Sequence, residues 1–523
     1  MTSEPNTIPD QNEITSRSAS GPTYFGRNQI ILALVVSGLF LLGALIRLID
    51  LTDPPLDFNP TRQLRNAIVT RSIYYQLSPT IDPQQVEEAQ AAANKVGQYE
   101  PPILESVVAL TYRLIGQEIP WIPRLYTILF WLIGGVAVFD LARRMTSVDG
   151  AVIATGYYLL LPFAAQASRS FQPDPGMVMW FILSVYFMYR WSEEQRWRWV
   201  VLAGLTAGMA ALVKVVIAYM IAGGAIGIVL ATLGIKRALR SPQVWSMAGL
   251  MILPSGIYYL LFSSSGRITE YITAWTLSLL QLILSPELYV RWMGMLGSLF
   301  SLAIIFIGLS GVLISKPRSR ALLAGLWVGY FIYGLTLPYQ MYTHNYYHLQ
   351  LTPIIALSIA PVMALVLAKM AQQPRFWQVA CLGALLLAAA YPSWVARSTL
   401  FAEDFRSEPA YWEEIAQKLP RDGSIIALTQ DYGYRLMYYG GRKVDLWPIV
   451  GDQELADLRG KGKDFGERFA NQTEGRDYFV ITAFGQYNRQ PDLRSELENN
   501  YRLIAEGDGY LIYDLHQPNS TSP

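Results

Sequence analysis

Long apolar runs separated by short charged segments dominate the chain from residue 29 to residue 395. A membrane-spanning helix needs about 20 mostly apolar residues, and about eleven runs fit or approach that length. They lie near Gln29 to Ile46, Ile122 to Leu141, Ala151 to Ala167, Gly176 to Tyr189, Val200 to Val213, Val215 to Leu233, Val244 to Phe262, Met293 to Ile314, Ala321 to Leu337, Leu351 to Ala368 and Trp377 to Val395. The pattern predicts a mainly α, polytopic transmembrane helical bundle.

Lys214 decides how the stretch from Val200 to Leu233 is divided, because it is the only charged break there and the stretch reads as one helix or two. Lys and Arg in short loops favour the cytoplasmic face. With two helices and a cytoplasmic N-terminus, every predicted inner loop is basic. These loops contain Arg143, Arg144, Arg190, Arg196, Arg198, Lys236, Arg237, Arg240, Lys316, Arg318, Arg320, Lys369 and Arg375. We therefore predict two helices, which places the tail from residue 397 outside.

Three segments outside the predicted bundle differ from simple turns. Residues 1–28 are polar and predict a disordered cytoplasmic tail, so the first membrane helix must direct insertion. The first outer loop, residues 50–121, contains an apolar stretch from Pro102 to Leu114 that is too short to span and predicts an interfacial helix. Within residues 29–397 this loop therefore belongs to the membrane domain as a structured outer part. Residues 263–291 form a second long outer segment.

The long apolar runs end before the tail, where shorter helical and strand-like patterns predict a soluble α/β domain over residues 398–523. Helical spacing runs from Glu408 to Leu419, and Ser424 to Thr429, Tyr478 to Thr482 and Tyr510 to Leu515 have the short apolar or alternating patterns of strands. The tail would then be a small outer domain of a multi-pass protein of the plasma (inner) membrane.

Composition narrows the function classes. Of 523 residues, 52% are hydrophobic and only 15% are charged, against roughly 25% charged residues in an ordinary soluble domain. Forty-one Lys and Arg nearly balance 40 Asp and Glu, so no basic field favours nucleic acid as a partner. The single cysteine, Cys381, allows neither an intrachain disulfide nor a thiolate cluster for a metal.

Carboxylates and guanidiniums meet in the first outer loop, directly after the first helix. Asp57 is placed to act as a general base towards a hydroxyl, while Arg62 and Arg65 suit bidentate contacts with a phosphate. The alternative is a Pro-rich loop whose Asp residues only cap the next helix.

Two further charged positions lie at predicted outer helix ends. Arg169 and Asp174 precede the fourth helix, where charges are costly unless they face a cavity. Asp174 reads alternatively as the N-cap of that helix. Lys214 either meets an anionic ligand or extends to the lipid headgroups.

A polar aromatic cluster precedes the tenth predicted helix. His344, Tyr346, Tyr347 and His348 suit ring stacking and hydrogen bonding to a substrate, and an interfacial aromatic belt is the alternative. Two histidines without a local third ligand do not make a metal site. We therefore predict no metal ligands, while assistance by a divalent cation stays open.

The ordered set of motifs resembles the GT-C superfamily of integral membrane glycosyltransferases, of the protein mannosyltransferase and aminoarabinose transferase type, similar to glycosyltransferase family 39. The resemblance covers nearly the whole chain. It rests on the acidic first loop, Glu100-Pro101-Pro102-Ile103-Leu104, Arg124, Ala142-Arg143-Arg144, Ser168-Arg169 to Asp174, Tyr186 to Trp191, the glycine-rich Gly204 to Gly208 followed by Lys214, and Tyr346-Tyr347-His348-Leu349 to Pro353.

This resemblance implies inverting transfer of a sugar from a polyprenyl-phosphate donor to an acceptor lipid, glycan or protein on the outer membrane face. It implies Asp57 as base, Asp174 as a second catalytic carboxylate, and Arg62, Arg65, Arg169 and Lys214 as phosphate-binding residues. Glu100, His344, Tyr346, Tyr347 and His348 would contact substrate.

The first loop departs from the family pattern in two ways. Thr61, Arg62 and Gln63 align with the family's Asp-Glu pair, and Asp57 lies four or five positions too early. Glu100 stands where the family often has Lys or His. A different acceptor, a different base and loss of activity are all compatible with these changes.

Two other classes of function compete with the transferase. A transporter or flippase for a lipid or solute also uses charges near helix ends, although no second copy of the first-loop or Asp174 pattern indicates a repeat. A noncatalytic protein whose tail binds a polymer is the third class. Six tail aromatics suit sugar stacking or, alternatively, a small core: Trp412, Tyr432, Tyr434, Tyr438, Tyr439 and Trp447.

Overall fold

The computed structural model describes residues 23–97, 100–261 and 273–518. The helices of the apolar region are α1 Gln29–Leu48, α2 Pro60–Leu77, α3 Pro83–Val96, α4 Ile103–Ile115, α5 Ile122–Met145, α6 Val148–Leu160, α7 Pro162–Ala167, α8 Asp174–Glu194, α9 Trp197–Val213, α10 Ala218–Ala238, α11 Pro242–Leu261, α12 Pro286–Phe300, α13 Leu302–Ile314, α14 Pro317–Thr336, α15 Gln340–Thr343, α16 Leu351–Met370 and α17 Arg375–Leu400. Short 3₁₀ helices occupy Val215–Ile217, Leu277–Leu284 and Asn345–His348.

Each of the eleven predicted apolar runs coincides with one described helix or with two consecutive helices, except that the seventh run ends at Phe262, outside the described residues. Within the described part, α1, α5, α11, α16, α17 and the segment Val215–Ala238 are long and apolar enough to cross a membrane. The pair α12 and α13, bent by 92°, adds a seventh crossing if it counts as one. The mainly α membrane fold is confirmed.

The break at Lys214 is confirmed. Its backbone is extended, with φ −158° and ψ 111°, so α9 ends at Val213 and the 3₁₀ helix Val215–Ile217 leads into α10. The apolar stretch therefore forms two helices, α9 and α10, which are joined at Lys214.

Lipid is the environment that fits the outer surface of the bundle. Leu34 and Leu41 on α1, and Leu386 and Leu387 on α17, are more than half exposed although they are apolar. Water would penalise such surfaces on two whole helices, whereas hydrocarbon does not. The chain is a multi-pass membrane protein.

Small residues let α10 and α14 approach closely. A side chain carbon on Gly223 would overlap the carbonyl oxygen of Gly325, and one on Gly227 would overlap that of Ala321. Helix pairs in membranes use such small residues because they gain van der Waals contact at short separation.

The first outer loop folds into α2, α3 and α4. Helix α4 buries Leu104, Val108 and Tyr112, while Leu110 and Leu114 on other faces are more than half exposed. An apolar helix of 13 residues with an exposed apolar face suits the membrane surface. The prediction of a short helix is confirmed, and its position in the interface stays a prediction.

The tail forms a small α/β unit with a five-stranded sheet. The strands are β1 Ile425–Leu428, β2 Asp445–Leu446, β3 Tyr478–Ile481, β4 Tyr501–Gly507 and β5 Tyr510–Pro518, in the order β2-β1-β3-β5-β4. Strands β2, β1 and β3 are parallel, and β5 pairs antiparallel with β3 and β4. The tail helices are α18 Glu408–Gln417, α19 Tyr434–Tyr438, α20 Val450–Leu458, α21 Phe465–Thr473, α22 Phe484–Tyr487 and α23 Pro491–Asn500, with a 3₁₀ helix at Gln430–Gly433.

The tail packs directly on the first outer loop. Arg71 pairs with Glu118 at 3.0 Å and lies over the ring of Tyr438, 3.9 Å from its centroid. Lys95 pairs with Asp445 at 2.6 Å. These contacts fix the tail against α2 and α3, on the side of the bundle where the predicted site residues lie.

The predicted N-terminal tail lies mostly outside the described residues, since the description begins at residue 23. The backbone amides of Tyr24 and Phe25 donate to the Asp149 carboxylate at 2.7 and 2.8 Å. Residues 23–28 therefore lead into α1 along the end of α6.

Candidate functional site

A cluster of three cations forms around Glu100. Arg62 and Arg65 are three residues apart on α2 and therefore lie on one helix face. The Glu100 carboxylate accepts from Arg62 at 3.1 Å through one oxygen and pairs with Arg65 at 3.5 Å through the other. Lys214 is close enough to act electrostatically on the same carboxylate.

The conformation at the start of α2 positions Arg62 and Arg65. Asn59 adopts the left-handed conformation, with φ 46°, and Pro60 occupies the first helical position, where its missing N–H has no cost. The Asn59 side chain donates to Asn345 at 2.9 Å, which ties the helix start to the segment before α16.

Lys214 and Asp174 form a buried ion pair. The Lys214 ammonium donates to Oδ1 of Asp174 at 2.8 Å, and the side chains are 6% and 2% exposed. Asp174 is the first residue of α8 and makes no capping bond, so the N-cap interpretation is wrong. Its Oδ2 is buried without a hydrogen-bond partner among the described residues.

Tyr346 and Tyr347 connect the two groups of charges. The Lys214 ammonium lies 4.9 Å from the ring centroid of Tyr346 and 4.8 Å from that of Tyr347. The Arg62 guanidinium lies 5.6 Å from the Tyr346 centroid. Aromatic faces attract cations, so the Tyr346 ring holds Arg62 and Lys214 close together despite their like charge.

The electrostatics of the cluster are dominated by its positive charges. Burial raises the pKa of Glu100, but Arg62, Arg65 and Lys214 outweigh it and lower that pKa to about 2. Burial, together with the positive charges of Arg62 and Lys214, lowers the pKa of His344 to about 4. Three basic side chains thus surround the Glu100 carboxylate, and such a concentration of positive charge favours an anionic ligand.

Asp57 lies in a second group, apart from the Lys214 pair. One of its oxygens accepts from Arg124 at 2.9 Å and from the Gln63 amide at 3.1 Å, and the other lies 3.5 Å from Arg169. The Arg124 side chain is fully buried. Two guanidiniums thus share this carboxylate inside the fold, and its role as base stays a prediction.

Two further predicted site residues are engaged by the protein itself. Arg169 donates to the carbonyl oxygens of Ile49 and Asp50 and pairs with Asp57, which places it away from the Glu100 cluster. Fully buried His348 bonds to Tyr330 at 2.6 Å and to the carbonyl oxygen of Met341 at 3.1 Å. Their proposed contacts with phosphate and substrate stay predictions.

The tail reaches the site through a turn that the sequence did not single out. The hydroxyl of Thr61, the neighbour of Arg62, donates to Asp431 at 3.2 Å. Asp431 and Tyr432 have φ values of 51° and 55°, and such left-handed conformations are uncommon for residues other than glycine. Long-range packing sets this contact, and no local sequence signal predicts it.

Glu105 is a second residue that the sequence prediction missed. It is the acidic residue in the first turn of α4, is 7% exposed, and interacts electrostatically with Arg65, Glu100 and Arg62. Burial is the main cause that raises its pKa to about 7. A lone carboxylate in an apolar interfacial helix was the available signal.

Most tail aromatics belong to the tail's own cores or to its contact with the first loop. Trp412 and Trp447 are 1% and 2% exposed, and Tyr438 packs with first-loop residues. Tyr432 is 47% exposed. In the described ranges, no group of three or more His, Cys, Asp or Glu side chains is arranged to hold a metal ion.

Comparisons with known proteins agree with this architecture. Residues 99–259 match the family model of dolichyl-phosphate-mannose-protein mannosyltransferase. No curated protein matches the chain. Among solved structures, ArnT from Cupriavidus metallidurans bound to undecaprenyl phosphate is 15% identical with a TM-score of 0.53, over 92% of this chain and 97% of that chain.

Two archaeal structures are similar as well. The Archaeoglobus fulgidus oligosaccharyltransferase in complex with Zn and sulfate is 14% identical, with a TM-score of 0.54 over 91% of this chain and 73% of that chain. The oligosaccharyltransferase AglB from the same organism, in complex with an inhibitory peptide and a dolichol-phosphate, is 13% identical, with a TM-score of 0.54 over 93% and 74%.

The chain therefore shares its fold with ArnT and with these oligosaccharyltransferases, as the sequence motifs predict. Within it, the match to the mannosyltransferase family model spans the segment that contains Glu100, Asp174 and Lys214.

Proposed function

We propose that this protein transfers a sugar from a polyprenyl-phosphate donor to an acceptor on the outer membrane face, with inversion at the sugar carbon. The observation that carries the proposal is the convergence of Arg62, Arg65 and Lys214 on one carboxylate. Two arginines from the first turns of α2 and a lysine from the break between α9 and α10 suit a phosphate on a membrane-embedded lipid.

The two binding events seen in similar folds support the choice of donor. ArnT was crystallised with undecaprenyl phosphate and AglB was determined with a dolichol-phosphate. Both ligands combine a long isoprenoid chain with one phosphate, the chemistry that a cationic cluster beside a bundle of apolar helices would accept.

In the proposed transfer the sugar leaves the phosphate of the donor, and the acceptor hydroxyl loses its proton. When the bond between the sugar carbon and the phosphate oxygen breaks, negative charge develops on the phosphate, and Arg62 and Lys214 would stabilise it. The acceptor hydroxyl must give its proton to a carboxylate. The sequence proposes Asp57 for that role, and Asp174 and Glu100 are the other candidates in the two groups.

The acceptor is proposed only as a lipid, glycan or protein that approaches from the outer side. Thr61, next to Arg62, and the tail turn at Asp431 that it contacts border the cluster and would contact the acceptor. We propose that the N-terminus lies in the cytoplasm and the tail domain lies outside the plasma (inner) membrane. The basic residues in the predicted inner loops favour this orientation.

A transfer assay tests the proposal. Purified protein in lipid nanodiscs, given a polyprenyl-phosphate hexose and a mixture of acceptors, should release polyprenyl phosphate. Arg62→Met should lower the rate by about a hundredfold or more, because a preorganised charge stabilises the transition state. Arg489→Met, which removes an exposed arginine of the tail, should leave the rate unchanged. If neither the intact protein nor Arg489→Met releases polyprenyl phosphate, and lipid or solute moves between the two leaflets, the result would favour a flippase or transporter instead.

A further inference from the structure

We propose that Glu100 occupies the place of the donor phosphate in the free protein, and that donor binding releases it to become the general base. This inference rests on the proposed function, which it deepens by assigning the proton acceptor. It accounts for a site whose phosphate-binding cations are already paired and whose first loop lacks the family's acidic pair.

The contacts of Glu100 are those expected of a bound anion. Its two oxygens face two different arginines, Arg62 at 3.1 Å and Arg65 at 3.5 Å, and Lys214 adds a third positive charge. Its side chain is 14% exposed. A phosphate needs these same donors, so the donor and Glu100 cannot both have them.

In its observed position Glu100 is a poor base. The three cations hold its pKa at about 2, and a carboxylate of such low basicity has little tendency to accept a proton from a hydroxyl at neutral pH. Activity through Glu100 therefore requires that these cations leave it.

A phosphate is able to displace the carboxylate. In the donor the phosphate is a diester with one negative charge, as the carboxylate has, but it matches arginine in a two-point geometry, and the isoprenoid chain adds binding of its own to the apolar helices. Glu100 has rotatable side-chain bonds, so its carboxylate moves away without a change in the backbone. Once Arg62 and Lys214 bind the phosphate, the released Glu100 loses favourable charges and faces a new anion, and both changes raise its pKa.

The released carboxylate completes a balanced reaction. The acceptor oxygen forms a bond to the sugar carbon while the bond from that carbon to the phosphate oxygen breaks. The acceptor proton moves to Glu100, and the bonding electron pair leaves with polyprenyl phosphate. The proton of Glu100 then passes to solvent, and departure of polyprenyl phosphate returns the cations to Glu100.

The other two carboxylates are less suited to act as the base. Asp57 is held by Arg124 and Gln63 within the first loop and α5, and the Arg124 side chain is fully buried. Asp174 also loses Lys214 when the phosphate binds, but its side chain is only 2% exposed, against 14% for Glu100, so an acceptor hydroxyl has less access to it. Neither lies between the two arginines of α2.

The test compares Glu100→Gln with the intact protein in two measurements, the affinity for undecaprenyl phosphate and the rate of sugar transfer. Removing the competing charge should tighten binding of undecaprenyl phosphate about tenfold, equivalent to ~1.4 kcal/mol. Removing the base should lower transfer by about a hundredfold or more. Tighter binding with lost turnover is a combination that a structural role does not produce.

Controls separate the possible failures. Glu87→Gln, an exposed carboxylate on α3, should match the intact protein in both measurements, and thermal unfolding reports whether Glu100→Gln is folded. Equal or weaker binding by folded Glu100→Gln, or retained turnover, overturns this inference alone. If the intact protein neither binds undecaprenyl phosphate nor transfers sugar, the proposed function itself fails. An unfolded Glu100→Gln also counts against the inference, because a displaceable carboxylate is not needed for folding.

Discussion

Lys214 and Asp174, forty residues apart in the chain, form a 2.8 Å ion pair in which both side chains are almost fully buried. Lys214 belongs to the extended break between α9 and α10, and Asp174 begins α8. The pair therefore fixes the start of α8, the end of α9 and the start of α10 relative to one another.

Lys214→Met should destabilise the protein by about 3–5 kcal/mol, because it leaves a buried carboxylate without a counter-charge. The double variant Asp174→Asn/Lys214→Met should regain most of that loss, since no buried charge remains. Urea or thermal unfolding in detergent measures both. A double variant as unstable as Lys214→Met would show that the lysine stabilises the helices by packing rather than by charge.

Asp57→Asn should lower the unfolding temperature, because Arg124 and Arg169 would then face each other without the carboxylate they share. The folded fraction should keep measurable transfer activity with an unchanged pH profile. Rates are corrected for folded protein by size-exclusion chromatography. Complete loss of transfer in well-folded Asp57→Asn would instead assign the base to Asp57, as the sequence alone proposes.

Glu105 should make stability depend on pH. Its pKa is raised to about 7 in the folded protein from an ordinary value of 4.5, so the folded state favours the neutral carboxyl. This contribution is fully present below pH 4.5 and is lost as the pH rises through 7, with a difference of about 3 kcal/mol at most. Unfolding of the intact protein and of Glu105→Gln between pH 5 and pH 8 measures it. The intact protein should lose more stability over this range, and parallel pH curves would contradict the assignment.

Gly223→Leu should destabilise the bundle by about 3 kcal/mol or more, because a larger side chain would overlap the backbone of α14 and force α10 away. Gly383→Leu is the matched control, since Gly383 on α17 has open space around it among the described residues. The two unfolding temperatures in the same detergent give the comparison. Equal temperatures would show that the α10 and α14 contact tolerates separation.

The helices were predictable because lipid imposes a simple rule on composition and length. Lys214 illustrates this: one charge in an apolar stretch, combined with the basic loops around it, indicated a break that the backbone shows. The bend at Ser301 was not predictable, because residues 293–314 contain no charged residue or proline and the 92° angle depends on packing.

The sequence indicated which residues lie in the cluster better than it indicated which of them contact each other. Arg62, Glu100, Lys214 and Tyr346 were each expected near substrate, and they lie together. No sequence pattern indicates that Glu100 lies between two arginines or that Arg169 pairs with Asp57. Such pairings join residues far apart in the chain, and only tertiary packing determines them.

The contact between the tail and the first loop restricts how the chain can thread the membrane. Arg71 with Tyr438, and Thr61 with Asp431, require both regions to lie on one side. The crossings from α5 to α17 must then be even in number. Among the described residues, the helices there number ten when α6 is joined to α7, α12 is joined to α13, and the four-residue α15 and the 3₁₀ helix Leu277–Leu284 are left out. The break at Lys214 makes the number of crossings even. A single uninterrupted helix in place of α9 and α10 would make that number odd and would leave Thr61 and Asp431 on opposite sides of the membrane.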